Sequence, residues 1–451
     1  MKVSQFFIAT SVALFLGTGN MSAQSLTPVY APPAPYYATD ASLESRIFQL
    51  EEEIKKKADK ADNTKAFDAR LNGRIFFESV TFGDPHVKYG TFNGQSNILG
   101  AREVHIGIAG TGYRIYDYSV ELGYTGTDVE FRDVVFGIKN IPGLDYVRIG
   151  HYKLESGMAY TASGLNTTAM ESHTASQAFS PGRRFGVGQT YYFANDQVRW
   201  FNGVFASEVV TGTKFIRDPE GMIYNSRLTF VPYYAQDGAR YLHFGGHYMY
   251  RENPSNTNPD FSAPGARIGG FNRASAWFTP TAINASYYNQ GGIEAIWGCG
   301  PLAISTELFA GSFGNGRDMY SGYVEVRYFL TGDVRLYNKR NGVPGGVKLK
   351  KNFLCAEEFI QTCHGKAKGF GIQSMGAWEV YTQLGFTDSD RIAARSGSGG
   401  RTTDTVLGLN WYLNPTTRMM FEYVHSDGTR QGASGFRATE DIFAAALRFN
   451  F

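Results

Sequence analysis

Tyr116-Asp117-Tyr118-Ser119-Val120-Glu121-Leu122-Gly123-Tyr124 is the stretch on which the fold turns. Its even positions carry Tyr, Tyr, Val, Leu and Tyr, and its odd positions Asp, Ser, Glu and Gly. Successive side chains of a strand point to opposite faces, so this two-residue period describes one apolar and one polar surface. The pattern recurs. Leu242, Phe244, Gly246, Tyr248 and Tyr250 alternate with His243, Gly245, His247 and Met249. Trp378, Val380, Thr382, Leu384 and Phe386 alternate with Glu379, Tyr381, Gln383 and Gly385. Thr405, Leu407, Leu409, Trp411 and Leu413 alternate with Val406, Gly408, Asn410 and Tyr412.

Reading outward from these segments gives sixteen strands, starting near residues 70, 101, 113, 130, 144, 184, 196, 223, 239, 290, 301, 319, 376, 402, 416 and 440. An even number lets both ends of a closed sheet meet on one side. Long connections at 83–100, 154–183, 209–222 and 252–289 alternate with short ones, as in barrels with short periplasmic turns and long external loops. Residues 331–375 break the rule, because a long connection stands where a short turn belongs. Either a strand is missed there or the segment is an insertion.

Composition narrows the class. The 451 residues carry a net charge of only +2, with no basic or acidic tail, which argues against nucleic-acid binding. Glycine is abundant at 53 residues and aromatics reach 15%, with 28 Tyr and 34 Phe, while charged residues are 19%. Beyond the N-terminus no apolar run reaches the roughly 18 residues a membrane helix needs. A strand in hydrocarbon must pair every backbone group, which only a closed barrel achieves. The competing fold is a secreted sandwich or propeller, whose apolar phase would face a core. Three features favour the barrel: aromatics crowd the apolar phase, the polar phase carries large charged residues, and Phe443, Ala445, Leu447, Phe449 and Phe451 share one face of the last strand. The expected fold is an all-β antiparallel transmembrane β-barrel of about sixteen strands, with a short N-terminal coiled-coil helix.

The N-terminus divides further. Lys2, an apolar stretch from Phe6 to Leu16, and small residues up to Ala23 follow the order of a secretory signal, residues 1–23, with a short buried helix as the alternative. No cysteine near Ala23 offers a lipid acceptor. Residues 24–40, with Pro28, Pro32, Pro33 and Pro35, read as an extended linker. In residues 41–66, Leu43, Ile47, Leu50 and Ile54 form a coiled-coil seam, and Glu51, Glu52 and Glu53 precede Lys55, Lys56 and Lys57 by four residues. The seam is short enough to need neighbouring chains. Residues 67–451 are then the barrel.

Signals for catalysis or cofactors are weak. Cys355 and Cys363 either pair or stand as separate thiols, and Ile360 occupies the position a haem-attachment motif would give to cysteine. His243 and His247 share a strand face but lie about 13 Å apart, too far for one metal. There is no nucleophile elbow, Gly365-Lys366 lacks the frame of a phosphate-binding loop, and adjacent Ser172-His173 are poorly placed as nucleophile and base. No enzyme, metal or cofactor is expected.

Gly376-Ala377-Trp378-Glu379-Val380, Gly408 through Pro415, and Tyr328 through Tyr337, with Val147 through Lys153 and Phe179 through Arg184, resemble the phosphate-selective porin O/P family of bacterial outer membranes. The resemblance runs from about Asn72 to the end. It implies a sixteen-stranded trimeric channel with a periplasmic coiled coil, and extra sequence between the Leu-Thr-Gly and Gly-Ala-Trp-Glu motifs, where 331–375 lies. The terminal strand ending in Phe451 is what the outer-membrane insertion machinery would read.

In such a channel the inward side chains set the chemistry. By phase, Arg74, Arg148, Arg227, Arg327, Arg418 and Arg448 point inward, as do Glu78, Asp117, Glu121, Glu325, Glu379, Asp404 and Glu422. Guanidinium groups suit anions, but the mixed signs also fit a general porin whose charges merely pair across the wall. Anion-selective relatives place a Lys and an Arg on the loop after the fifth strand. Residues 154–182 hold neither, with Tyr160 and Ser172 near the aligned positions, which weakens the case for phosphate; Arg183 and Arg184 at the loop's end are the candidate substitutes. The function expected is passive diffusion of small hydrophilic solutes across the outer membrane, with anion or phosphate preference left open. The alternative is a structural or adhesive anchor between membrane and periplasmic material.

Overall fold

The computed structural model describes residues 67–83, 97–124, 129–207, 221–253, 262–263, 266–271, 274, 276–278, 281–282, 285–353, 374–390, 399–430 and 436–451. The signal, linker and coiled-coil expectations, and the pairing of Cys355 with Cys363, fall outside them. Sixteen antiparallel strands close into one barrel. Numbered around it, they are β1 Phe67–Phe82, β2 Ile98–Gly112, β3 Tyr116–Tyr124, β4 Val129–Ile141, β5 Asp145–Lys153, β6 Arg183–Phe193, β7 Val198–Ala206 and β8 Met222–Ala235. There follow β9 Arg240–Glu252, β10 Tyr287–Cys299, β11 Leu302–Phe313, β12 Arg317–Phe329, β13 Ala377–Asp388, β14 Gly400–Asn414, β15 Thr417–Arg430 and β16 Phe436–Asn450. Closure is made by β1 against β16, from Arg74 opposite Asn450 to Phe82 opposite Ile442. Gly73 and Phe451 exchange both backbone hydrogen bonds at the end of that seam.

The apolar phase faces outward. Ile106, Ile108, Val120, Phe185, Leu228, Phe244, Leu384, Leu407 and Phe443 are all exposed on the barrel's exterior. The other phase is not uniformly polar, and here the simple picture of a water-lined interior needs correcting. Phe76, Val80, Phe82, Phe201, Phe205, Ile223, Met249, Ile296 and Ile442 point inward and are buried, because three segments fold into the lumen and cover them.

The first is the connection after β5, which contains short helices at Met158–Thr161 and Thr174–Ala178. A loop buried inside a barrel needs partners for its backbone groups. The wall supplies them: Glu307 accepts from Met158 N at 2.5 Å and Ala159 N at 3.0 Å, Asn410 donates to Thr168 O at 2.8 Å, and Ser321 donates to Ala175 O at 2.9 Å. The second comes from the long connection after β9. Ile268, Phe271 and Trp277 pack on Val80, Phe82, Met420, Val424 and Ile442, and the Trp277 indole donates to Ser426 Oγ at 2.8 Å.

The third resolves the awkward 331–375 connection. It is neither a missed barrel strand nor a plain turn, since Val334–Asn338 and Val343–Lys348 form a separate hairpin. Tyr337 and Val343 of the hairpin pack with Val231, Tyr241 and Ile296 of the wall and Met158 of the infolded loop. The Tyr337 hydroxyl meets His243 Nδ1 at 2.5 Å. Arg227 donates to Gly342 O at 2.7 Å and Arg199 to Arg340 O at 2.9 Å.

Candidate functional site: a basic passage along one wall

These segments leave open space mainly beside β1 to β6, bordered on its far side by Arg199 of β7, Arg251 of β9 and Arg448 of β16. Two cavities occupy it. The larger, about 730 Å³, includes Arg102, Arg132, Arg184, Arg251 and Arg267 in its lining. The smaller, about 440 Å³, reaches the hairpin at Asn338 through Gly345. Both are bounded by Arg74, Lys153, Gly164 and Arg183, so the two chambers adjoin at a collar carrying three cations. Nine Arg or Lys side chains line the larger chamber against three Glu; five line the smaller against three carboxylates.

Local strand irregularities supply part of this charge. Between β1 and β2 the register runs from Phe76 opposite Glu103 to Phe77 opposite Ala101, leaving Arg102 as an extra residue. Between β3 and β4 it runs from Val120 opposite Val134 to Leu122 opposite Phe131, so Arg132 and Asp133 together oppose Glu121. A bulge breaks strict alternation and re-aims a side chain. Arg102 and Glu103 consequently both reach the lumen, as do Arg132 and Asp133. Parity counting along the sequence misses Arg102 and Arg132 for this reason. Adjacent residues of opposite charge interrupting a run of clean alternation, Arg102-Glu103 and Arg132-Asp133, are the signal that could have found them.

Most collar charges are compensated in part. Arg74 meets Glu103 at 3.1 Å and Glu121 at 3.4 Å, and Arg183 meets Asp133 at 2.8 Å. Lys153 donates to Tyr160 O at 3.2 Å and sits 5.0 Å from that ring, with no carboxylate within salt-bridge distance among the described residues. In the smaller chamber, Arg148 lies 4.1 Å over the Tyr152 ring and reaches Glu155 at 3.1 Å. Glu155, at the start of the infolded loop, also binds Arg199 through both oxygens at 2.6 Å. Burial would raise the Glu155 carboxyl, but Arg199, Arg148 and Arg227 hold it below the usual range. In the larger chamber Glu171, 2.6 Å from Arg102, is pushed up to about 7 by burial in spite of that arginine.

The inward residues named from sequence thus divide by neighbourhood. Arg74, Arg148, Arg183, Arg184, Arg448 and Glu121 border one or both chambers. Arg227, Arg327, Arg418, Glu325, Glu379 and Glu422 also face inward but are buried beneath the infolded segments. Arg227 is bound to Glu294 at 2.5 Å, and Arg327 reaches Thr168 Oγ1 at 3.2 Å. Arg418 donates to Thr167 O at 2.7 Å, and Glu325 accepts from Thr168 Oγ1 at 3.0 Å. Glu379 binds the hairpin's Arg335 at 3.1 Å, and Glu422 accepts from Met170 N and from the Tyr381 hydroxyl. These six hold the inserts in place. Arg199, Arg251, Glu155 and Glu171 join the chamber walls from positions that sequence reading did not single out.

Comparisons with known proteins agree with this architecture. The family model described as phosphate-selective porin O and P matches residues 79–451. Among solved structures, OmpF of Salmonella typhi in complex with daunomycin aligns at 8% identity and TM-score 0.51, covering 86% of this chain and 98% of that one. The trimer form of OmpT, an outer-membrane protein of Vibrio cholerae, aligns at 14% identity and TM-score 0.50, covering 86% and 100%. An anion-selective porin from Comamonas acidovorans aligns at 10% identity and TM-score 0.48, covering 85% and 100%. No curated protein matches the chain. With more than three quarters of its length matched by the family model and a closed sixteen-stranded barrel enclosing a charged passage, the chain belongs to the phosphate-selective porin O and P family and is a passive channel of the outer membrane.

Proposed function

We propose that the passage admits small hydrophilic solutes with a preference for anions over cations, without a site dedicated to phosphate. The observation that carries this reading is the collar shared by the two chambers, where Arg74, Lys153 and Arg183 meet, with Arg132 close by in the larger chamber. Fixed cations beside the path lower the energy of a passing anion and raise that of a cation. The infolded loop brings no Lys or Arg of its own between residues 154 and 182. Its contribution to the passage is neutral backbone, neutral polar side chains such as Tyr160, Asn166 and Gln177, and the carboxylates Glu155 and Glu171. That mixture suits general anion passage better than tight capture of a dianion.

Reversal potentials in planar bilayers under a potassium chloride gradient test the preference. The parent channel favours chloride, and Arg132→Ala and Lys153→Ala each move the reversal potential toward the cation value. A parent channel preferring potassium, or variants without effect, would refute the assignment. Phosphate added to the same bilayers blocks chloride current only weakly; strong block would restore a phosphate site. Clear conductance steps also separate a channel from the anchor alternative.

The same reading has the chain exported after removal of residues 1–23, with linker 24–40 and coiled coil 41–66 on the periplasmic side, assembled as a homotrimer. The coiled-coil seam supports a multimer because it is too short to stand alone. The terminal strand, with Phe443, Leu447, Phe449 and Phe451 all exposed outward, suits recognition by the insertion machinery and contact with lipid.

A further inference from the structure

The geometry points to a binding site for an anionic phospholipid at the short-turn rim of β12 to β14, on the outside of the barrel and away from the passage. After the hairpin the chain leaves the lumen and crosses this rim. Three hydrogen bonds fix the crossing: Lys350 N donates to Asp333 Oδ1 at 2.5 Å, Lys350 Nζ to Thr331 O at 2.9 Å, and Phe353 N to Leu413 O at 2.7 Å. Lys351 lies between the anchored residues, is exposed, and has no hydrogen-bond or ion-pair partner among the described residues.

Beside it stands a rigid aromatic shelf. Trp378 and Trp411, register partners on the outward face, stack with ring centres 5.0 Å apart, and Phe353 meets Trp411 edge-on at 4.9 Å. Both indole N–H groups donate to one carbonyl, Met375 O, at 3.0 and 2.7 Å. Their hydrogen bonding is complete within the protein, so the rings offer only apolar faces and edges to what lies outside. Leu330 and Met375 are exposed next to them.

Aromatic residues at the end of a barrel's apolar band mark the depth of lipid headgroups. The short-turn end is the periplasmic end of outer-membrane barrels, so the leaflet here is made of phospholipid. Lys350 and Lys351 then lie at phosphate level beside a surface shaped for acyl chain and glycerol. Among the described residues the nearby acid is Asp333, which is buried and already accepts from Lys350 N and Thr331 Oγ1. The rim is therefore locally positive, complementary to a headgroup carrying net negative charge and not to a zwitterion. A lysine near an anionic membrane surface is worth about fivefold in affinity.

The test uses the full chain in vesicles, with Trp200→Phe and Trp297→Phe removing the other outward tryptophans; Trp277 is enclosed in the lumen and out of reach of lipid. Brominated phosphatidylglycerol diluted into phosphatidylcholine should quench Trp378 and Trp411 with a relative binding constant about 25-fold above that of brominated phosphatidylcholine, about fivefold for each of the two lysines. Lys350→Gln with Lys351→Gln should bring the ratio close to one while leaving reversal potential unchanged. Lys351→Gln alone, which disturbs no bond within the described residues, should give part of the loss. Equal quenching by both lipids in the parent, a preference that survives the double substitution, or a shift in ion selectivity without a lipid effect would each overturn the site. Abolition of the preference by added inorganic phosphate would also overturn it, in favour of a free anion at the channel mouth.

Discussion

Replacing Glu155 by glutamine removes one negative charge and almost no volume from the smaller chamber. Its carboxylate is held by Arg199 at 2.6 Å, Arg148 at 3.1 Å and Arg227 at 3.6 Å, so the substitution leaves three guanidinium groups short of their shared partner. One unit charge about 8 Å from a passing ion in water contributes about 0.5 kcal/mol. The change acts with opposite sign on chloride and potassium, so their permeability ratio should rise about fivefold in favour of chloride. The same loss destabilises the anchored loop, because breaking a buried pair on one side costs about 3 kcal/mol or more. The assay is reversal potential under a tenfold potassium chloride gradient, with heat-modifiable migration on gels as the check of folding. A folded Glu155→Gln channel whose selectivity is unchanged, or moves toward potassium, would refute the claim that ions pass through this chamber.

Four other outcomes are expected. Glu171 lines the larger chamber, and burial places its carboxyl near 7, so it gains a proton as pH falls through that value and the chamber becomes more positive; chloride preference should rise between about pH 8 and pH 6, and Glu171→Gln should flatten that dependence. Exchanging residues 334–348 for a short flexible turn should raise single-channel conductance, since the hairpin fills part of the lumen; unchanged conductance would place it off the ion path. Trp277→Ala should loosen the second insert at a cost of about 3–5 kcal/mol, read as faster tryptic cleavage at Arg267. Gly73→Val should destabilise the heat-modifiable form, because even a Cβ at Gly73 would lie 2.8 Å from the backbone carbonyl oxygen of His105 on the neighbouring strand, besides displacing the Phe451 ring where the barrel closes.

Strand positions were readable because their signal is local. Every barrel strand begins within four residues of the start expected from alternation, and the outward phase of β3, β9, β13 and β14 is the one their apolar residues predict. Lipid on one side and a filled or wet interior on the other impose a period of two on each segment separately. The passage was less readable. Arg102 and Arg132 enter it through bulges, which reverse parity without any strong mark in composition. Arg227, Glu325 and Glu379 have the same inward phase as Arg74 but lie under inserts that arrive from distant parts of the chain.

Sequence alone determined that this chain closes into a barrel in lipid, which face of each strand is apolar, and that the loop after β5 carries no cation. Only the tertiary structure decided which charges face open space. Phase fixes the side of the wall on which a residue stands, but not what stands opposite. Whether Arg74 meets water or Arg227 meets a backbone carbonyl depends on where the infolded loop and the hairpin come to rest, and that position follows from contacts made across more than a hundred residues.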